Sequence, residues 1–182
     1  MFEVIDNFLD DNHFRPIQEM IMDKTFPWHY QKNTVKEAEH SNDLYDFQFL
    51  HIFYMLSKIG FLETCSDKCE YLFPVFEKLR VLHLIRAKAN LRTLYRGEVE
   101  SHPEYYHTDV HYPEWQIPIT TAIFYMNTNN GSTIINTGDK KERVHAVENR
   151  LVKFDSRMEH AGISSTDNKR RIVINFNYIE KK

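Results

Sequence analysis

Apolar residues are distributed differently in the two halves of the chain. Phe2 to Ile5 reads as a first short strand. Asp10-Asp11-Asn12 then offers side-chain caps to a helix over 13–23, whose apolar face would be Phe14, Ile17 and Ile21. Pro16 fits that helix only in its first turn, where a missing N–H costs little. Trp28 to Val35 reads as extended. Phe47 to Tyr54 is apolar at both parities (Phe47, Phe49 and Phe53 against Leu50, Ile52 and Tyr54), the mark of a strand buried on both faces. Asp67 to Leu79 returns to helical spacing, with Leu72, Val75, Phe76 and Leu79 as its stripe and Pro74 starting or kinking it.

Beyond Leu82 the pattern shortens and alternates. Strands are predicted at Leu84–Leu91, Thr120–Met126, Ser132–Asn136, Val144–Val147, Leu151–Phe154 and Arg171–Tyr178. Asn127-Thr128-Asn129-Asn130-Gly131 is turn-forming. Many short strands separated by turns predict a sandwich or jelly roll, with the earlier helices buttressing one outer sheet face. The expectation is a mainly β chain with flanking helices: one domain over 1–182, helices mainly in 1–82 and a jelly-roll core mainly in 83–180.

Composition narrows the classes. At 182 residues and 42% hydrophobic the chain can bury a core, which excludes a disordered segment. The formal net charge is -3, and Lys169-Arg170-Arg171 and Lys140-Lys141 are short basic runs, so nucleic acid is not an expected partner. No apolar run reaches membrane-spanning length and the first residues lack a basic, apolar leader, so a cytoplasmic protein is expected. Cys65 and Cys69, four apart, read as two free thiols that could share a helix face; a zinc site needs more soft ligands than this pair. Oligomeric state is not legible.

The chemistry-bearing set is His107-Thr108-Asp109, then His160, then Arg171. In a chain with ten histidines a chance His-x-Asp is about an even bet. Here it follows a predicted strand and sits among Tyr105, Tyr106, His111, Tyr112 and Trp115, while His160 follows another predicted strand. A jelly roll brings such residues to one mouth. Two imidazoles and one carboxylate on one face of a metal suit a non-haem Fe(II) centre with open positions. A fixed arginine beyond them could hold a dicarboxylate by a two-point contact. His102 and His145 read as loop and exposed residues; His111 competes with His107 but reverses the order of the pair. On the last strand Arg171, Val173, Asn175 and Asn177 share the more polar face, and Arg170 shares the other with Ile172, Ile174 and Phe176. Arg86, Lys88 and Arg92 likewise share a strand face and could form a local basic patch.

At these residues the chain resembles the Fe(II)/2-oxoglutarate-dependent dioxygenases of the prolyl-4-hydroxylase-like branch, and looks most like small phage-encoded members. The likeness runs over nearly the whole chain. It is densest in Thr121-Ala122-Ile123-Phe124-Tyr125-Met126-Asn127, Gly131-Ser132-Thr133, Asn149-Arg150-Leu151-Val152-Lys153-Phe154, His160-Ala161-Gly162 and Arg170-Arg171-Ile172-Val173-Ile174-Asn175-Phe176. The resemblance implies a double-stranded β-helix. It also implies His107, Asp109 and His160 as ligands of Fe(II), and Arg171 with Tyr125 as contacts of the 2-oxoglutarate carboxylate. With O2 as second co-substrate, it implies hydroxylation of a C–H bond in a peptide, prolyl among the candidates, or a small molecule, with release of succinate and CO2. One departure is Leu91 after Ala89-Asn90, where many relatives carry a tyrosine; the resemblance then implies that any hydroxyl contact from that position is lost. A cupin-like or zinc hydrolase could use the same three ligands without Arg171 or Tyr125, and a non-catalytic jelly-roll binding module is the third class. The aromatic loop from Ser101 to Trp115 either grips substrate or packs under itself.

Overall fold

The computed structural model describes residues 2–33, 47–57, 59–94, 106–110 and 117–182. The predicted extended segment reaching Val35 and the loop residues His102, Tyr105, His111, Tyr112 and Trp115 lie wholly or partly outside these ranges.

Eleven strands form two antiparallel sheets among the described residues. The strands are β1 (Phe2–Ile5), β2 (His29–Gln31), β3 (Gln48–Leu56), β4 (Leu62–Cys65), β5 (Val81–Thr93), β6 (Thr120–Tyr125), β7 (Ser132–Asn136), β8 (Lys141–His145), β9 (Leu151–Asp155), β10 (His160–Ile163) and β11 (Arg170–Glu180). The large sheet runs β1-β9-β6-β11-β5-β3-β2, with β4 also paired to β3; the small one runs β10-β7-β8. This is a mainly β, jelly-roll architecture with helices on one side.

The helices cover one face of the large sheet. In α1 (Asp11–Met22) the Asp10 carboxylate caps the His13 N–H, and Phe14, Ile17 and Ile21 are fully buried. A 3-10 turn (Asp67–Leu72) leads into α2 (Phe73–Lys78), with Pro74 in the first turn. Leu72, Val75 and the α1 stripe pack with Ile172, Ile174, Phe176 and Tyr178 of β11 and Phe124 of β6. Phe14 meets Phe124 edge-on at 5.7 Å, and Phe76 meets Phe176 at 5.9 Å. The opposite face of the large sheet carries a second, smaller core of Ile123, Tyr125, Val152, Phe154 and Val173, closed by Ile135 of β7 and Val144 of β8.

Several expectations are corrected. Pro16 stands in the second turn of α1, not its first. It is exposed, so the Asn12 carbonyl it leaves without an intrahelical donor can reach water. The 67–79 helix is broken at Phe73. The strand placed at Val144–Val147 is Lys141–His145; Ala146 and Val147 already lead into a turn at Asn149, whose φ is 59°. That residue tolerates the left-handed region, and its side chain accepts from the Leu9 N–H and donates to the Leu9 carbonyl. Cys65 and Cys69 share no helix face: Cys65 ends β4 and is exposed, whereas Cys69 is buried in the 3-10 turn. Strands β4 and β10 have too few apolar alternations to be seen in the sequence.

Candidate metal centre

The β10 edge of the small sheet sets the candidate ligands. His107 and His160 exchange both backbone hydrogen bonds, His107 N–H to His160 O at 3.0 Å and His160 N–H to His107 O at 2.9 Å. Two residues on, the Asp109 N–H donates to Ser156 O at 3.1 Å. Backbone pairing thus brings the three side chains to one spot. Their candidate ligand atoms all lie within 4.8 Å of one another, and the two imidazole centroids are 4.5 Å apart. His145, read as exposed, is exposed. His51 is consumed by structure, bonding the Pro27 carbonyl and the Ser66 hydroxyl.

The donor set fits a divalent cation. His160 Nδ1 stands 3.1 Å from the Met158 carbonyl, which only accepts, so Nδ1 carries the proton and Nε2 presents its lone pair. That Nε2 atom is buried, has no hydrogen-bond partner, and lies 3.8 Å from Asp109 Oδ2. A buried acceptor without a partner calls for an electrophile.

Asp109 is held from three sides. Its side chain is 4% exposed, and Arg86 Nη2 donates to Oδ1 at 2.7 Å. Thr121 Oγ1 donates to Oδ2 at 3.0 Å and Asn177 Nδ2 to the same oxygen at 3.2 Å. Arg86 Nε in turn donates to Asn177 Oδ1 at 2.8 Å. Burial alone would push the carboxyl pKa up; the Arg86 guanidinium, then the two histidines, outweigh it and hold Asp109 well below the ordinary carboxylate value.

Arg171 lies in the same cavity. It is 4% exposed, and Nη2 donates to Ser132 O at 3.1 Å and Thr133 Oγ1 at 3.2 Å. The Tyr125 hydroxyl donates to that same Thr133 oxygen at 2.8 Å, and the guanidinium stands 5.7 Å from the Tyr125 ring. Burial disfavours the charged form of Arg171 while Tyr125 favours it; a guanidinium stays protonated regardless. Arg170 points the other way, is exposed, and reaches the Met22 carbonyl at 3.4 Å. A Cβ on Gly131 would lie 2.8 Å from Arg171 Cδ and 2.8 Å from the Ile163 carbonyl, so the arginine passes where only glycine leaves room. The cavity is lined by His107, Asp109, His160, Thr133 and Arg171, and by Gln48, Lys88, Asn90 and Arg92 from β3 and β5.

Sequence reasoning picked out His107, Asp109, His160, Arg171 and Tyr125, and the structure brings all five together. It missed the work of Arg86, Thr121, Asn177, Gly131 and Thr133. The available signal was polar residues at same-face positions of otherwise apolar strands. Leu91 needs a correction: it packs on the helix side of β5, so a tyrosine there would not reach this cavity, and nothing is lost by its absence.

No family model matches the sequence, and no relative is found among curated proteins. Solved structures do match. A Burkholderia pseudomallei oxidoreductase described as of the 2OG-Fe(II) oxygenase family superposes with a TM-score of 0.69 at 9% identity, over 100% of this chain and 86% of that one. The fold is the double-stranded β-helix of these oxygenases. A Pseudomonas putida prolyl-4-hydroxylase follows at TM-score 0.64 and 13% identity, covering 99% and 92%. A Trichoplax adhaerens prolyl hydroxylase, solved with a hypoxia-inducible-factor peptide fragment, gives 0.62 and 13%, covering 98% and 83%. No helix among the described residues is long and apolar enough to cross a membrane.

Proposed function

We propose that the chain is an Fe(II)- and 2-oxoglutarate-dependent oxygenase that hydroxylates a C–H bond in a peptide, prolyl among the candidates, or in a small molecule. The small phage-encoded hydroxylases whose motifs it resembles would be its kin, and the cytoplasm its place of action. The observation that carries this reading is the buried, unpartnered His160 Nε2 facing the Asp109 carboxylate in the cavity that also holds Arg171.

In this reading His107, Asp109 and His160 hold the metal. Fe(II) bound there, with 2-oxoglutarate and O2, supplies the oxidising chemistry that places oxygen on a C–H bond while 2-oxoglutarate becomes succinate and CO2. The chain's own groups do the positioning. The Met158 carbonyl fixes the His160 tautomer, and Arg86, Thr121 and Asn177 fix the Asp109 carboxylate. Arg171 receives the far carboxylate of 2-oxoglutarate, in a dry setting where a charge-assisted pair is stronger than on the surface. Thr133 and Tyr125 orient that guanidinium. Ile123 and Val173, which line the cavity between the metal ligands and Arg171, keep water from the reacting centre.

The test is anaerobic titration with Fe(II) and 2-oxoglutarate, following the visible charge-transfer band. Asp109→Ala and His160→Ala should abolish or sharply weaken it. An unchanged band in both variants refutes the ligand assignment. Binding of zinc without any 2-oxoglutarate affinity would instead refute the oxygenase reading and leave the metal-dependent hydrolase and the non-catalytic module, which metal-dependent turnover separates.

A further inference from the structure

The cations around the cavity are already engaged. Arg86 bonds Asp109 and Asn177, and Arg92 Nη1 donates to the Gly162 carbonyl. Lys88 has a partner as well. Arg171 bonds Ser132 and Thr133 through Nη2, and its buried Nε is left for the co-substrate, as His160 Nε2 is left for the metal. Two other buried atoms of cavity-lining residues have no hydrogen-bond partner: Oδ1 of Asn90, whose residue is 9% exposed, and Oδ1 of Asn175. The strand register puts these two neutral amides together. Asn90 of β5 stands opposite Val173 of β11, and Asn175 is the next residue along the same face. Such diagonal neighbours are about 7–8 Å apart, a gap that one hydrogen-bonding group can bridge from both sides. Asn175 is also the next residue along that face from Asn177, which bonds Asp109, so the amide pair begins about 7 Å from the candidate ligands.

The co-substrate does not answer these atoms. 2-Oxoglutarate is a dianion with oxygen acceptors and no donor, whereas an amide oxygen needs a donor. With an amide turned over, its NH2 becomes the orphan and needs an acceptor. A group that carries both a donor and an acceptor satisfies either orientation, and another amide is such a group. A buried polar atom left bare costs more than the bond it would make contributes, so the empty pair is held against stability and relieved by a ligand.

We propose that Asn90 and Asn175 are specificity-determining residues that hold an uncharged amide group of the molecule to be oxidised, beside the candidate metal ligands. This rests on the oxygenase reading given above and narrows its substrate to one that carries an amide, in a peptide backbone or as a small carboxamide.

The experiment uses the full chain with Fe(II) and saturating 2-oxoglutarate, without O2. The probes are acetyl-prolinamide and a capped alanyl-prolyl-alanine tripeptide for the backbone, and nicotinamide and lactamide for small carboxamides. Each is paired with the ester in which oxygen replaces the amide nitrogen, which keeps the acceptor and loses the donor. Binding is read as a change in the visible band. An amide should bind about tenfold more tightly than its ester. Asn90→Leu and Asn175→Leu should each erase that preference while leaving 2-oxoglutarate affinity within about twofold. Backbone and carboxamide arms then separate the two sources. In metal-free, ligand-free protein Asn90→Leu should leave the urea midpoint unchanged or raise it, because it removes an orphaned polar atom. A lowered midpoint shows that the amide makes a structural bond and overturns the proposal. So does equal binding of amides and esters, binding of neither, or a defect of the two variants confined to 2-oxoglutarate. If no band forms at all, the oxygenase reading fails separately. Calorimetric titration of the same probes into metal-free protein then decides the amide pair alone: amide-selective binding that both substitutions erase upholds it, and its absence sinks it.

Discussion

Replacing Arg86 by Met should reveal how the Asp109 carboxylate is kept in place. The pair is close to fully buried, with side-chain exposures of 20% for Arg86 and 4% for Asp109 and a 2.7 Å contact. Breaking a fully buried ion pair costs about 3–5 kcal/mol, and an exposed one about 1 kcal/mol or less. Arg86 keeps a partial opening to solvent, so the coupling belongs between these limits, at about 2 kcal/mol. The lost Nε bond to Asn177 adds about 1 kcal/mol. Metal-free Arg86→Met should therefore be about 2–3 kcal/mol less stable at pH 7 in urea unfolding, with an unchanged m-value. Because a single variant also changes packing, the measurement is a cycle with Asp109→Asn, whose coupling isolates the pair. The pH dependence has a fixed sign. Asp109 is held below its ordinary value of 3.8, so this stability is present above that pH and is lost as pH falls below it. The wild-type and Arg86→Met stabilities should converge in acid. A coupling under about 0.5 kcal/mol at pH 7 would refute the reasoning.

The remaining expectations are shorter. Arg171→Ala should raise the 2-oxoglutarate requirement by far more than Arg170→Ala, since Arg171 lines the cavity and Arg170 is exposed on the other face; equal effects in steady-state kinetics would contradict this. Gly131→Ala should mimic the Arg171 variant, because the added methyl competes with Arg171 Cδ; a folded Gly131→Ala protein with unaltered 2-oxoglutarate binding would show that the chain relaxes there at no functional expense. Burial, with Cys65 close by, pushes the Cys69 thiol up to about 11 from 9.0. Folded protein therefore keeps a proton that unfolded protein releases, and this part of the stability should be lost as pH rises from about 9 towards 11. Cys69→Ala should flatten that alkaline limb in denaturation measured across the range.

Long, regular periodicity was the readable part of the fold. The stripe Phe14, Ile17 and Ile21 and the two-faced alternation of β11 were legible because each face meets one environment, apolar under the helices and polar in the cavity. The candidate ligand set was legible because His-x-Asp, a later histidine and a strand-opening arginine can be read from their order alone, whatever lies between. Strand β10 was not, since His160-Ala161-Gly162-Ile163 owes its extended form to pairing with β7, a contact remote in sequence. The Asp109 clamp was hidden for the same reason: Arg86, Thr121 and Asn177 belong to three strands, and only the register of β5, β11 and β6 aligns them. Gly131 reads as a turn glycine; its close approach to Arg171 is a fact of three dimensions.

The parity of β11 has a wider consequence. Even-numbered positions from Ile172 to Tyr178 anchor the helices, while Arg171, Val173 and Asn175 line the cavity. Folding and chemistry are thereby written on alternate letters of one strand. The cavity-facing letters can be changed without unsettling the helix-facing ones, so the lining is open to alteration on a fixed scaffold.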